Sequence, residues 1–177
     1  MRLVPYIILA YVALGIQVGL ARYLEWNGAQ PNFVLLAVVF IAVNAPRDAA
    51  LLGCFSMGIL QDLMSLSQQP PGLYGMAYGV VAMILSSTQS TVYRGHPLTH
   101  VSLAALGGVV TAVFLWLHSV IWAGSSAADA APIAVRLGLV QLLLGVMYTA
   151  LLAPLVIGPL QRIRRGFAFT PNRKGMR

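Results

Sequence analysis

Charge is what this sequence has least of. Its 177 residues carry 11 Lys+Arg and only four Asp+Glu, so 8% of the chain is charged while 59% is hydrophobic. Soluble domains carry roughly a quarter charged residues, and this chain lacks the polar side chains to coat a water-facing surface. A soluble enzyme and a disordered regulator are both excluded. Cysteine is almost absent too. The single Cys54 allows no internal disulfide and no multi-cysteine metal site, and it says nothing of the redox compartment. With acids so rare, paired-carboxylate chemistry has little to draw on. The formal net charge of +7 would suit a nucleic-acid binder, but with so few charges their positions matter more than their sum.

Long apolar runs are what the chain does have. A membrane helix needs about 20 apolar residues, and charges and turn residues cut the sequence into six such stretches. They cover about residues 3–21, 33–45, 49–66, 73–92, 98–123 and 133–160, and a basic tail occupies 161–177. The expected fold is an all-α polytopic membrane protein, a compact bundle of six transmembrane helices with no soluble domain. The second stretch is short for a tilted helix. A full span is the preferred reading, with a re-entrant or packed-in helix as the alternative. Met1-Arg2 before an apolar run, with Gly19-Leu20-Ala21 at its end, has elements of a signal peptide. The run is long for one and more apolar stretches follow, so an uncleaved first helix is expected.

The cations set the orientation. With the N-terminus inside, Arg2, Arg47, Arg94, Arg162, Arg164, Arg165, Arg173, Lys174 and Arg177 are cytoplasmic, and only Arg22 and Arg136 lie outside. That asymmetry follows the positive-inside rule. Tyr23, Trp26, Tyr74 and Trp122 then fall at the outer interface, and Tyr6, Tyr93 and Phe167 at the inner one. Both termini are expected in the cytoplasm. The tail cations Arg162, Arg164 and Arg165 directly follow the last stretch, where each gains about 1 kcal/mol beside anionic lipid. Lipid anchoring accounts for them without nucleic acid.

Asp62 is the only acid inside an apolar stretch, and a carboxylate in hydrocarbon faces protein or water. Steps of four back along a helix reach Gly58, Cys54 and Ala50, a run of small residues on the side of Asp62. Leu52, Ile59, Leu63 and Leu66 form a separate bulky stripe that suits lipid. A structural role for Asp62, either wet near the outer end of the helix or hydrogen-bonded within the bundle, is favoured over an ion or substrate relay or a polar contact with a partner helix. Gly15-x-x-x-Gly19 and Gly75-x-x-x-Gly79 have the small-x-x-x-small spacing that lets helices approach closely. Packing inside the bundle is the preferred expectation for them, and a contact with a partner protein is the alternative at Gly15 and Gly19. His96 and His100 are four apart but separated by Pro97, without a nearby acid or cysteine to complete a metal site. His118 stands alone. No nucleophile elbow or phosphate loop is present, so neither an enzyme nor a cofactor is expected.

Past this point the sequence is informative by resemblance. The stretch Pro31-Asn32-Phe33-Val34, the Pro46-Arg47-Asp48 turn, Gly53-x4-Gly58-x3-Asp62-Leu63 and Pro71-Gly72-Leu73-Tyr74-Gly75 together resemble the MreD family of bacterial rod shape-determining membrane proteins. The pattern covers about Pro31 to Leu85. The resemblance implies Gly53, Gly58, Asp62, Pro71 and Gly72 as motif positions. It implies a non-catalytic scaffold of the cell-elongation complex in the inner membrane, with an MreC-like protein, MreB, RodA and its class B penicillin-binding partner as partners. On that reading the chain couples the cytoskeleton to side-wall peptidoglycan synthesis. It also implies a fold similar to the substrate-binding subunits of energy-coupling-factor vitamin transporters, which supplies the alternative function, a small-molecule uptake component. The short uncharged segment from Ser67 to Gly72 offers little to cap a polar ligand.

Overall fold

The computed structural model describes residues 3–21, 23–26, 28–64, 71–88, 97–123 and 131–163. Six helices occupy the six apolar stretches: α1 (Leu3–Gly19), α2 (Phe33–Asn44), α3 (Arg47–Met64), α4 (Leu73–Ser87), α5 (Pro97–Ala123) and α6 (Ala131–Ile163). Arg47 and Asp48, read as a turn, belong to the first turn of α3. An acid there is favourable beside the positive end of the helix dipole.

The bundle is built around α2. Its sequence is apolar on every side until Asn44, and all 12 of its residues are buried. A helix with no polar face has to be enclosed, and α2 packs against each of the other five. Twelve residues at about 1.5 Å rise make a helix of about 18 Å, well short of the about 30 Å of a hydrocarbon core. α2 is thus both short and wholly enclosed by the other helices. Two hairpins, α3–α4 and α5–α6, make the most extensive helix pairs around it, and α1 covers α2 and α3 from one side.

Two described helices, Leu98–Ile121 and Val140–Arg162, are long and apolar enough to cross a membrane. The segments Val4–Gly19, Phe33–Asn44 and Leu73–Ser87 are apolar but shorter. The outside of the bundle is apolar as well: Leu52 and Leu63 on α3 are 73% exposed, and Tyr11 on α1 is 80% exposed. Ile8, Val113, Met147 and Leu151 are exposed on other faces. So much contiguous apolar surface does not belong in water.

Candidate functional site

The sequence pattern around Asp62 becomes a helix junction. Asp62 lies in the last turn of α3, and its carboxylate reaches the start of α4. Oδ2 accepts hydrogen bonds from the Gly72 and Gly75 N–H groups at 3.0 and 3.2 Å, and Oδ1 accepts one from the Tyr74 N–H at 3.2 Å. The first turn of a helix leaves its N–H groups without intrahelical partners. The N-cap of α4 is Gly72, which has no side chain to supply one. Asp62 therefore caps α4 from the neighbouring helix, and its carboxylate sits where the helix dipole favours negative charge. Gly72 is glycine for a backbone reason, since its φ of 101° lies in the left-handed region. Pro71, just before it, is exposed.

Gly58, one turn before Asp62, makes the reach possible. A Cβ on Gly58 would lie 2.5 Å from the Gly75 Cα and 2.5 Å from the Tyr74 carbonyl oxygen. Two glycines thus face each other where α3 and α4 nearly touch. One turn further along α4, Gly79 packs toward the Phe55 ring. Gly53 contributes its carbonyl, which accepts a hydrogen bond from the Tyr6 hydroxyl of α1 at 3.0 Å, while Tyr6 and Ser56 exchange another at 2.5 Å. Ala50, Cys54 and Gly58 are buried, and the Cys54 thiol donates to the Val38 carbonyl of α2 at 3.5 Å.

Gly15 and Gly19 sit differently. Both are exposed, and a Cβ on either would meet nothing within 4 Å. The expectation that this pair packs inside the bundle is corrected: α1 uses its other side, through Leu9, Ala10, Ala13 and Leu14, to bury itself. The glycine face is left open beside Ile8, Tyr11 and Val12. A short motif gives spacing but not azimuth, and here it is Gln17, between the glycines, that turns inward to Pro31 and Phe33.

Sequence reasoning missed a second polar cluster, next to Asp62. Asn32 caps α2 by accepting from the Leu35 N–H at 2.9 Å, and its amide donates to the Tyr78 hydroxyl at 2.9 Å. Tyr78, fully buried, donates in turn to Gln61 Oε1 at 2.6 Å. The Asn32 N–H donates to the Thr149 hydroxyl of α6 at 2.9 Å. Gln17 of α1 accepts from the Phe33 N–H at 2.7 Å and donates to the Pro31 carbonyl at 3.2 Å. Five helices meet at the N-terminus of α2 through these bonds. Buried polar groups are costly unpaired and specify a geometry when satisfied. The available signal was a lone polar residue within an apolar run, as at Gln17 and Gln61, which differs from Asp62 only in lacking charge.

The histidines are not brought together. His100 and His118 lie 18 residues apart on α5, about 27 Å along a helix, and His96 is outside the described residues. No cluster of three His, Cys, Asp or Glu side chains suited to a metal occurs among the described residues. His100 instead borders a void of about 10 Å³ with Asn44, Thr99 and Gln161, near the size that holds one water. Arg162 is exposed at the end of α6. Leu66, Arg164 and Arg165 are outside the described residues.

The apolar exterior, the enclosed central helix and the Asp62-capped hairpin define an all-helical membrane protein built on helix-to-helix contacts. The chain belongs to the MreD family: the family model described as rod shape-determining protein MreD matches residues 1–163. The match spans all six helices and extends well beyond the Pro31–Leu85 stretch that carries the motif. Neither a curated protein nor a solved structure matches the chain significantly. Membership implies a role in determining rod shape.

Proposed function

We propose that this protein is a non-catalytic scaffold of the cell-elongation complex, one that joins an MreC-like protein and the MreB cytoskeleton to RodA and its class B penicillin-binding partner. Family membership over residues 1–163 carries this reading. The open Gly15/Gly19 face of α1 supports it, because small residues let a partner's membrane helix come close. In this proposal the chain lies in the inner membrane as six crossings with a fold like that of energy-coupling-factor substrate-binding subunits. Both termini are cytoplasmic, and Arg162, Arg164 and Arg165 lie on anionic lipid. Depletion in a rod-shaped host should round the cells, and affinity purification from gently solubilised membranes should recover an MreC-like partner. Normal shape with impaired uptake of one vitamin would replace the scaffold by the uptake reading.

The partner contact has its own test. Gly15→Ile and Gly19→Ile should lower recovery of the MreC-like partner while the protein accumulates normally, since neither side chain meets the bundle. Unchanged recovery would remove α1 from the interface.

Orientation is tested by thiol labelling. Cys54 is fully buried, so the natural chain provides a silent background. In intact spheroplasts a membrane-impermeant maleimide should label Trp26→Cys and spare Asp48→Cys, both positions being exposed. The reverse pattern would invert the proposed topology.

A further inference from the structure

A cavity of about 510 Å³ lies between α5, α6 and the segment that leads into α2. This volume falls within the range of small-molecule sites. Its rim is exposed, at Gln30, Ser119 and Gln141, and its depth is buried, at Leu35, Thr111 and Thr149. The deep end closes where α5 and α6 approach: a Cβ on Gly108 would come within 2.8 Å of Val146. Toward the rim the walls are held apart, and a Cβ on Gly138 would meet nothing within 4 Å.

The lining offers hydrogen-bonding groups of both kinds. The Thr111 hydroxyl donates to the Gly107 carbonyl at 2.9 Å, Ser119 to the Trp116 carbonyl at 2.7 Å, and Thr149 to the Gly145 carbonyl at 2.7 Å. The Gln30 amide donates to Glu25 at 2.7 Å and the Asn32 amide to Tyr78 at 2.9 Å. Each hydroxyl has used its one proton on the protein and keeps acceptor capacity, part of which Thr149 gives to the Asn32 N–H. The Gln30, Asn32 and Gln141 amides carry further N–H donors. A lining that both accepts and donates suits a ligand group that does both, as a hydroxyl does. None of the described lining residues is charged, so a phosphate or carboxylate would find no cation among them. Leu115, Leu142 and Val146 make the remaining wall apolar.

We propose that this cavity binds the neutral, hydroxyl-bearing head of an amphiphile, of the monoacylglycerol class, with its hydrocarbon chain along the apolar wall. Its two hydroxyls bond to Thr111 and Thr149 at the depth of the cavity, and the acyl chain lies against Leu115, Leu142 and Val146. The site is independent of the scaffold role, since it uses the α5–α6 side of the bundle and leaves the Gly15/Gly19 face untouched.

The test uses the full chain in nanodiscs with a diazirine-bearing monoacylglycerol, with labelled residues mapped by mass spectrometry. Labelling should fall on the α5 and α6 wall and be competed by unlabelled monoacylglycerol. Free glycerol and phosphatidylglycerol should not compete. Gly138→Phe, which enters open space within the cavity, and Ser119→Phe, at its exposed rim, should each lower labelling about tenfold by filling the site. Helical circular dichroism and the thermal midpoint should be retained, and if Gly138→Phe fails to fold, the rim variant decides. Labelling spread over outer positions such as Leu52 and Leu151, unmoved by either substitution, would overturn the site. Equal competition by phosphatidylglycerol would overturn the neutral head, and equal competition by glycerol would overturn the amphiphile.

Discussion

Replacing Asp62 by leucine is expected to detach the start of α4 from α3. Three backbone donors, at Gly72, Tyr74 and Gly75, lose their acceptor together. A buried donor left unpaired costs about 1–3 kcal/mol, so three would cost roughly 3–9 kcal/mol. These donors are part-buried, so the lower half of that range is expected, still a large part of a stability of about 5–15 kcal/mol. Asparagine should be intermediate. Its one carbonyl oxygen, placed where Oδ2 now lies, keeps the bonds to Gly72 and Gly75, while its NH₂ group confronts the Tyr74 N–H. The order of thermal midpoints in nanodiscs should therefore be Asp, then Asn, then Leu, and recovery of the MreC-like partner should follow it. A different order would reassign the residue. If Asp62→Asn is as damaging as Asp62→Leu while Asp62→Glu restores cell shape, the carboxylate is needed for its charge and not as a cap.

The second large effect belongs to Gly58. Its missing Cβ is replaced in space by the backbone of Tyr74 and Gly75, and a backbone cannot rotate aside as a long side chain can. Gly58→Ala should cost about 1–3 kcal/mol as α3 and α4 are forced apart. Gly58→Leu should prevent accumulation altogether. The same separation would pull the Asp62 carboxylate out of reach of its donors, so the two sites should not act additively. A double-mutant cycle between Gly58→Ala and Asp62→Asn, read by thermal unfolding, should give a smaller loss than the sum of the singles. Gly15→Ala and Gly19→Ala are the matched controls. With open space around them, they should leave stability unchanged or raise it by up to about 1 kcal/mol through helix propensity. Equal losses at Gly15 and Gly58 would show that the α3–α4 approach is not the determining contact.

The contrast between Gly15 and Gly58 marks how far the sequence could be read. Both sit in small-residue patterns, and spacing alone favoured packing inside the bundle for Gly15 as well. Only the azimuth of α1 separates them, and that azimuth depends on Leu9, Ala10, Ala13 and Leu14 fitting α2 and α3. The Asn32–Tyr78–Gln61 chain was illegible for a related reason. Its members lie 46 and 17 residues apart, and no local pattern ties a polar residue to a partner on another helix. The cavity was beyond reach too, since it arises from the splay of α5 and α6 and not from any motif.

The sequence by itself determined the number and places of the helices, because apolar runs bounded by Pro, Gly and charged residues leave the backbone one way to satisfy its hydrogen bonds in an apolar medium. It also singled out Asp62, because an acid in such a run has to have a partner. The tertiary structure alone decided what that partner is: the unsatisfied N–H groups at the start of α4, brought within reach where Gly58 meets Gly75. It decided as well that α2 lies enclosed at the centre and that the glycines of α1 face outward. Helix formation is a local matter of backbone bonding, whereas which faces meet depends on the joint fit of all six helices.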